Sequence, residues 1–146
     1  MAVGALAGAA ALGRADEKKP AAKVGAGPSP KEQDVARTAS ACVAAGETCV
    51  AHCTRELAAG NTSMANCNAR VHEMLATCRA ILSLASSGSS LTKAMAAVCA
   101  DACKNCAEAC AEHKSHWAHG MHLECKACYE SCLACEKSCR ELVAGK

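Results

Sequence analysis

The stretch that decides the fold is residues 124–139, which read ECKACYESCLACEKSC. Its five cysteines follow one another at spacings of 3, 4, 3 and 4 residues: Cys125, Cys128, Cys132, Cys135 and Cys139. Alternating steps of three and four keep side chains on one face of an α-helix. The stretch therefore predicts a helix that presents one continuous stripe of thiols to its partners.

The other nine cysteines share this helical rhythm and divide among three earlier segments: Cys42, Cys49 and Cys53; Cys67 and Cys78; and Cys99, Cys103, Cys106 and Cys110. In the first segment Gly46 occupies a seam position without a thiol. In the second, Met64, Val71 and Met74 share the seam with the two cysteines. We therefore expect four helices whose thiol seams point at one axis.

Helix boundaries follow from caps and breakers. All three prolines lie in the first thirty residues, and Ser29, Pro30 and Glu32 have the pattern of a capping box with proline at the first helical position. We predict helices over residues 30–60, 62–85, 91–114 and 121–143, with Asn61 or Thr62 capping the second. Alternation of apolar and polar residues at period two is absent, so strands are not expected. Because the connections are short, the predicted fold is all-α: an antiparallel up-down-up-down four-helix bundle with a Cys-lined core.

The composition fits such a core. The chain of 146 residues has 14 Cys, no Phe, one Trp and one Tyr, so ordinary large apolar side chains are too few to fill a bundle. Cysteine is among the most buried residue types and is the natural substitute. The net charge of +2 is spread along the chain and forms no basic stripe, which excludes a nucleic-acid surface.

The first 28 residues differ from the rest. Residues 1–13 are small and apolar, and a cut after Ala15 would follow small residues, as at the end of an export signal. No positive segment precedes this run, so the signal looks truncated at its N-terminus, and the run is too short to span a membrane. We expect residues 1–28 to be this signal and a disordered linker, residues 29–146 to be one four-helix domain, and the protein to be exported, with a periplasmic location; the alternative is a cytoplasmic one.

Four kinds of chemistry compete for fourteen thiols on helical seams. They can serve as small apolar side chains, form disulfides, ligate iron–sulfur clusters or bind a soft metal ion. Cysteines four apart on a helix hold their Cβ atoms about 5–6 Å apart, beyond the roughly 3.5–4.5 Å of a disulfide, although bridges between helices remain possible. Iron–sulfur motifs usually lie in loops that wrap the cluster, whereas these cysteines lie on predicted helices.

Copper(I) suits the pattern best. Thiolates select Cu(I), which accepts two or three sulfur ligands, whereas Zn²⁺ prefers closed sets of four. Five pairs with three residues between them can each offer two thiolates to one ion: Cys49/Cys53, Cys99/Cys103, Cys106/Cys110, Cys128/Cys132 and Cys135/Cys139. If each thiolate bridges two ions and each ion takes two thiolates, the ceiling is roughly 14 ions per chain.

From Ala41 onward the sequence resembles the bacterial copper storage proteins. The matching segments are CVAAGETCVAHC at 42–53, SMANC at 63–67, the cysteine run at 103–110, and ECKACYESCLACEKSC at 124–139. The resemblance implies a bundle filled with Cu(I) on inward cysteines, a homotetramer and no catalysis. Exported members of the family carry a twin-arginine signal, which is missing here.

Histidines and methionines cluster near one predicted end of the bundle. In an up-down-up-down fold the first and third connections lie at the same end, so His52, Met64, His113 and Met121 are expected to gather there. Neutral imidazole and thioether ligands at the top of a thiol column suit a site that passes Cu(I) inward. The connection HKSHWAHGMH at 113–122 adds His116, His119 and His122, which could collect copper first.

The function predicted from these residues is the binding and storage of multiple Cu(I) ions, to buffer or supply copper, with a copper-requiring enzyme as a possible recipient. The chain offers no nucleophile–base pair, phosphate loop or open three-ligand metal site, so we do not expect an enzyme. The alternative is a redox protein that uses thiol/disulfide exchange or an iron–sulfur cluster.

Overall fold

The structure, a computed structural model, describes residues 27–145. It contains four long helices and one short one: α1 (Pro30–Ala58), α2 (Ala65–Ser86), α3 (Thr92–Ala111), α4 (Lys114–Trp117) and α5 (Leu123–Ala144). No strand occurs within residues 27–145. The all-α prediction is therefore confirmed.

In this described part of the chain, no helix combines the length and the apolar character that crossing a membrane requires. The predicted signal and most of the linker fall before residue 27 and lie outside the described residues.

The start of α1 follows the predicted capping box. The Ser29 hydroxyl accepts a hydrogen bond from the Glu32 backbone N–H, and the Glu32 carboxylate accepts one from the Ser29 backbone N–H. Pro30 occupies the first helical position, where its missing N–H leaves no partner unsatisfied. The Glu32 carboxylate accepts hydrogen bonds from the Ser29 backbone N–H and from the Ser29 hydroxyl, and these lower the pKa of Glu32, which favours the charged carboxylate at the positive helix end.

The two connections at the other end of α1 differ from the prediction. Neither Asn61 nor Thr62 caps α2 with its side chain; a 3-10 turn at Thr62–Met64 leads into that helix instead, and Asn61 donates from its amide to the Glu56 carboxylate. Helix α3 ends at Ala111, three residues early, because the chain tightens into turns and then forms α4. The ends of both helices are determined by local hydrogen bonds that form only in the folded connections.

The long helices form the predicted bundle. α1 packs against α2 and α5, and α3 packs against the same two helices, so the four alternate in direction around one axis. One end, here called the mouth, holds the turn after α1 and the connection from α3 to α5, which contains α4. The opposite end, the closed end, holds the start of α1, the connection from α2 to α3 and the end of α5. This arrangement places residues 52, 64, 113 and 122 at the same end.

Gly46 lets α1 approach α2 closely. It is buried on the seam of α1, and a Cβ atom at this position would lie 2.6 Å from Met74 Cε and 2.9 Å from Leu75 Cδ2. Both neighbouring atoms are the ends of flexible side chains. The glycine therefore leaves the space into which the Met74 side chain extends.

We expect Gly46→Leu to destabilise the apo bundle by about 1–3 kcal/mol, the cost of inserting bulk into a packed core. Gly46→Ala is the matched control. Its gain in helix propensity, up to about 1 kcal/mol, offsets the cost of a small shift of the end of the Met74 side chain. Denaturant unfolding of the two variants and the parent measures the difference. A leucine variant as stable as the parent would show that the contact is not tight.

Candidate metal centre

All fourteen cysteines lie in the core with no exposed surface. They come from all four long helices, which confirms that the four seams point at one axis. All fourteen are free thiols, so the structure contains no disulfide between any of them. The alternative of inter-helix bridges is not realised in this structure.

The thiols of different helices lie close enough to share metal ions. Cys42 Sγ is 3.5 Å from Cys132 Sγ, and Cys78 Sγ is 3.6 Å from the Sγ atoms of both Cys99 and Cys103. Metal–thiolate bonds of about 2.3 Å place two sulfurs on one ion at most about 4.6 Å apart. The observed separations therefore fall within the range that a single ion can bridge.

The thiols form five groups whose sulfur atoms lie within 4.8 Å of one another, and every cysteine belongs to at least one: Cys49, Cys53, Cys67 and Cys125; Cys49, Cys110 and Cys128; Cys106, Cys128 and Cys132; Cys42, Cys78, Cys103 and Cys135; and Cys99, Cys135 and Cys139. Cys49, Cys128 and Cys135 each belong to two groups. With the contact between Cys42 and Cys132, these shared thiols connect the mouth to the closed end in one lattice.

Two of the groups hold four thiols, which the sequence did not reveal. One takes a cysteine from each long helix: Cys42, Cys78, Cys103 and Cys135. Four thiolates can also hold Zn²⁺, but structural zinc sites are closed and need no ligand in common with a neighbour. A lattice with shared members suits ions that accept two or three bridging thiolates, as Cu(I) does.

The predicted pairs on single helices are largely confirmed as close neighbours. The sulfur atoms of Cys49 and Cys53 are 3.9 Å apart and those of Cys99 and Cys103 are 4.0 Å apart. Two further pairs, Cys128/Cys132 and Cys135/Cys139, also fall within common groups. The fifth pair, Cys106 and Cys110, contributes its two thiols to different groups.

The crowded thiols shift one another's ionisation. Hydrogen bonds, chiefly from Cys103 and then from Cys132, lower the pKa of Cys42 to about 6. The pKa of Cys99 falls to about 5, chiefly through Cys103. In contrast, hydrogen bonding with Cys110 and then Cys125 raises the pKa of Cys49. A thiolate stabilised by neighbouring S–H donors makes those donors harder to ionise, so the pKa values of neighbouring thiols shift in opposite directions.

Imidazole rings cover the mouth of the column. His52 Nε2 lies 2.8 Å from His122 Nδ1, and the carboxylate of Glu124 lies 3.5 Å from His52 Nδ1. The ring of His122 also lies 5.4 Å from that of His113 and 5.3 Å from that of His116, between ring centroids. His122 adopts a left-handed backbone conformation, with φ 51°, that carries its ring to this position.

The predicted uptake residues take different positions at the mouth. His52 and His113 are buried there, and Met64 has no exposed surface. Met121 is half-exposed and lines the same surface pocket as His52 and His122. The Nε2 atom of His113 is buried and has no hydrogen-bond partner in the described structure, which leaves it available for a ligand. Burial, followed by the neighbouring His52 and His113, lowers the pKa of His122 and favours the neutral ring that can bind a metal.

The closed end of the column has different chemistry. Val35, Ile81, Ala85 and Ala96 fill it without exposed surface. These apolar side chains offer no ligand and leave the mouth as the end where soft ligands meet solvent. This apolar plug could not be distinguished from the sequence, because its residues are ordinary members of helical seams.

Sequence reasoning also missed two potential contributors. Glu124 precedes the last cysteine run, and only the folded mouth brings its carboxylate next to His52. Met74 was noted as a seam residue but not as a ligand, yet its Sδ atom lies 3.4 Å from Cys42 Sγ. A thioether at a seam position in a Cys-lined bundle was the signal that could have identified it.

The chain is similar to known copper-binding proteins. The sequence model of the family described as copper storage protein matches residues 29–144. A structure of a cytosolic copper storage protein from Streptomyces lividans with five coppers superposes with a TM-score of 0.68 at 27% identity, covering 80% of this chain and 94% of that one. A second, of the Streptomyces lividans copper storage protein loaded with 10 copper equivalents, has a TM-score of 0.70 and 26% identity and covers 88% and 95%. No curated protein sequence matches the chain.

These comparisons contradict the predicted export and periplasmic location, because the first Streptomyces protein is described as cytosolic. The physical reason for the error is that a run of small apolar residues without a preceding positive segment is weak support for a signal. Free thiols are also maintained most readily in a reducing compartment.

Proposed function

The chain belongs to the copper storage protein family, and on that premise we propose that all fourteen cysteines are the storage ligands and that copper reaches them through the mouth. Storage of multiple copper ions is the function of the chain; the assignment of ligands and of the route is the proposal. The observation that carries it is the single connected lattice of buried thiols from mouth to closed end. If each thiolate accounts for about one ion, the capacity is roughly 14 per chain.

The route follows from burial. No thiol has exposed surface, so an incoming ion cannot reach one directly. An ion that enters at the mouth first meets the histidines there, which cover the group that contains Cys53, Cys67 and Cys125. Metal–imidazole bonds of about 2.0–2.1 Å would hold two ring nitrogens on a linear ion about 4 Å apart. His52 Nε2 and His122 Nδ1 are 2.8 Å apart. Copper binding to His52 therefore displaces its hydrogen bond with His122 and separates the rings, and Met64 lies next on the way inward.

The uptake route is tested by replacing mouth residues. We expect His52→Ala combined with Met64→Leu to slow Cu(I) uptake by about tenfold or more, the order that loss of a supporting metal partner costs. Leucine preserves the buried volume of Met64. Final capacity should stay close to that of the parent, because the deeper thiolates supply the equilibrium affinity. Anaerobic uptake against a competing chelator measures both quantities.

The matched change in the store is Cys106→Ser with Cys110→Ser. It should lower capacity by about two ions, because each thiolate accounts for roughly one, with little effect on the initial rate. If the mouth variant loads as fast as the parent, or loses as much capacity as the cysteine variant, the separation between mouth and store is wrong.

We also propose that the protein acts without catalysis, as one four-helix domain over residues 29–146, and that it assembles as a homotetramer. The family resemblance supports tetramer formation, and exposed apolar side chains such as Leu91 and Val98 on one side of the bundle are consistent with association. A copper-requiring enzyme is the proposed recipient of the stored ions. Light scattering of the full chain tests the assembly.

Anaerobic metal analysis with thiol counting tests storage against the redox alternative, which predicts iron or thiol/disulfide turnover.

A further inference from the structure

The thiol column has a gap midway along two of its helices. Between Cys42 and Cys49, the seam of α1 carries Gly46. Between Cys67 and Cys78, the seam of α2 carries Val71 and Met74. At this level α3 and α5 supply the group of Cys106, Cys128 and Cys132, and α1 reaches it through the contact of Cys42 with Cys132. Where the two ends of the lattice meet, α2 therefore supplies no thiol of its own between Cys67 and Cys78.

Met74 places a sulfur atom at this gap. Its side chain has no exposed surface, and its Sδ atom accepts a hydrogen bond from the Cys42 thiol at 3.4 Å. The same Cys42 Sγ lies 3.5 Å from Cys132 Sγ, which is the contact that joins the two ends of the lattice. Gly46 leaves the space that the Cε methyl of Met74 occupies. The thioether is thus held next to a pair of thiols rather than turned toward an apolar surface.

A neutral thioether suits this position. Thioethers are soft ligands that select Cu(I), and two sulfurs on one ion lie at most about 4.6 Å apart. A third thiolate beside Cys42 and Cys132 would add negative charge to a buried, crowded column, whereas a thioether adds a ligand without charge. Cys42 Sγ and Met74 Sδ are 3.4 Å apart, which is within this range, so both sulfurs can hold one ion.

We propose that Met74 is a copper ligand, which with Cys42 holds a Cu(I) ion at the junction between the two ends of the thiol lattice. The proposal rests on the storage function proposed above and adds a fifteenth sulfur to the fourteen thiolates. It also accounts for the glycine on the seam of α1, because Gly46 leaves room for the methionine side chain in the column. A methionine that only fills a gap would contact the same neighbours but would not bond to the metal.

The test is to look for a bond between the methionine and copper. The full chain is prepared with selenomethionine in a background with Met64→Leu and Met121→Leu, which leaves Met1, Met74 and Met95, and is loaded with Cu(I). Selenium-edge X-ray absorption should show copper at bonding distance from selenium. Adding Met74→Leu, which conserves volume, should remove that signal and lower the copper content by about one ion. Met95→Leu, at a residue outside the column, is the matched control and should leave the signal in place.

Three outcomes separate the proposals. Copper bound in quantity with no selenium–copper signal, or with a signal that survives Met74→Leu, overturns the assignment of Met74 and leaves storage on thiolates intact. Failure of the protein to bind several copper ions overturns the storage proposal itself. Circular dichroism checks that Met74→Leu remains helical; as a second measurement, the copper content of the otherwise unsubstituted chain should fall in Met74→Leu and not in Met95→Leu.

Discussion

Loading with Cu(I) is expected to raise the melting temperature of the bundle by about 15 °C or more. Copper binds the thiol lattice of the folded protein, and the unfolded chain does not offer this arrangement of thiols. Each bound ion therefore adds to the free energy of unfolding. One ion at a free concentration about 1,000 times its Kd contributes about 4 kcal/mol. In a domain of this size, 1 kcal/mol corresponds to a shift of roughly 4 °C. Since the lattice takes several ions, the first one sets a lower limit.

The apo protein should already be helical, because the Ser29 and Glu32 cap and the polar outer faces specify helices without metal. Thermal scans followed by circular dichroism, with and without copper and under anaerobic conditions, measure both expectations. Lys137→Ala is the matched control, since this exposed residue lies outside the column and is not a proposed ligand, so the shift should be unchanged. An apo protein without helix would show that folding requires the metal. A shift below about 5 °C would show that copper stabilises the fold less than expected.

Acidification from pH 7.5 to 5.5 is expected to weaken binding by up to about 100-fold for each ion that displaces one proton. Thiolates bind copper, so a thiol must lose its proton first. The raised pKa values of Cys49 and Cys78 mean that their protons are still present near neutral pH and must be displaced. Affinity at these thiols therefore rises with pH throughout this interval.

The thiols with lowered pKa values should respond over a different range. Cys42 and Cys99, with pKa values of about 6 and about 5, are ionised above those values and displace protons only as the pH falls toward or below them. Competition titrations at several pH values measure the slope, and loading in a weakly buffered solution measures the protons released, up to about one per ion and fewer where the thiol is already ionised. Affinity that does not change between pH 7.5 and 5.5, with no proton released, would contradict the prediction.

Much of the candidate site could be predicted from residue spacing. Steps of three and four place the cysteines of each segment on one helical face, and all fourteen are indeed buried. The same spacing argues against disulfides within a helix, because geometry along one helix depends only on sequence separation. His52 and His113 were placed at one end from the order of the helices alone.

Boundaries and connections were less predictable. The fourth helix was expected to begin at residue 121, but Leu123 is its first residue, because His122 takes a left-handed conformation in contact with three other histidines. The turn after α1 was expected to contain a side-chain cap and instead forms a 3-10 turn. Both differences arise from contacts between segments that are distant along the chain.

The sequence by itself determined the fold class, the inward direction of the thiols and the preference for a soft metal, since each depends on the period of one helix and on the chemistry of sulfur. The tertiary structure alone decided which thiols of different helices are neighbours. Cys42 meets Cys132, 90 residues away, and Met74, 32 residues away, because the relative height of packed helices depends on the side chains between them. Helical periodicity determines the face on which a residue lies, but only packing determines what lies opposite.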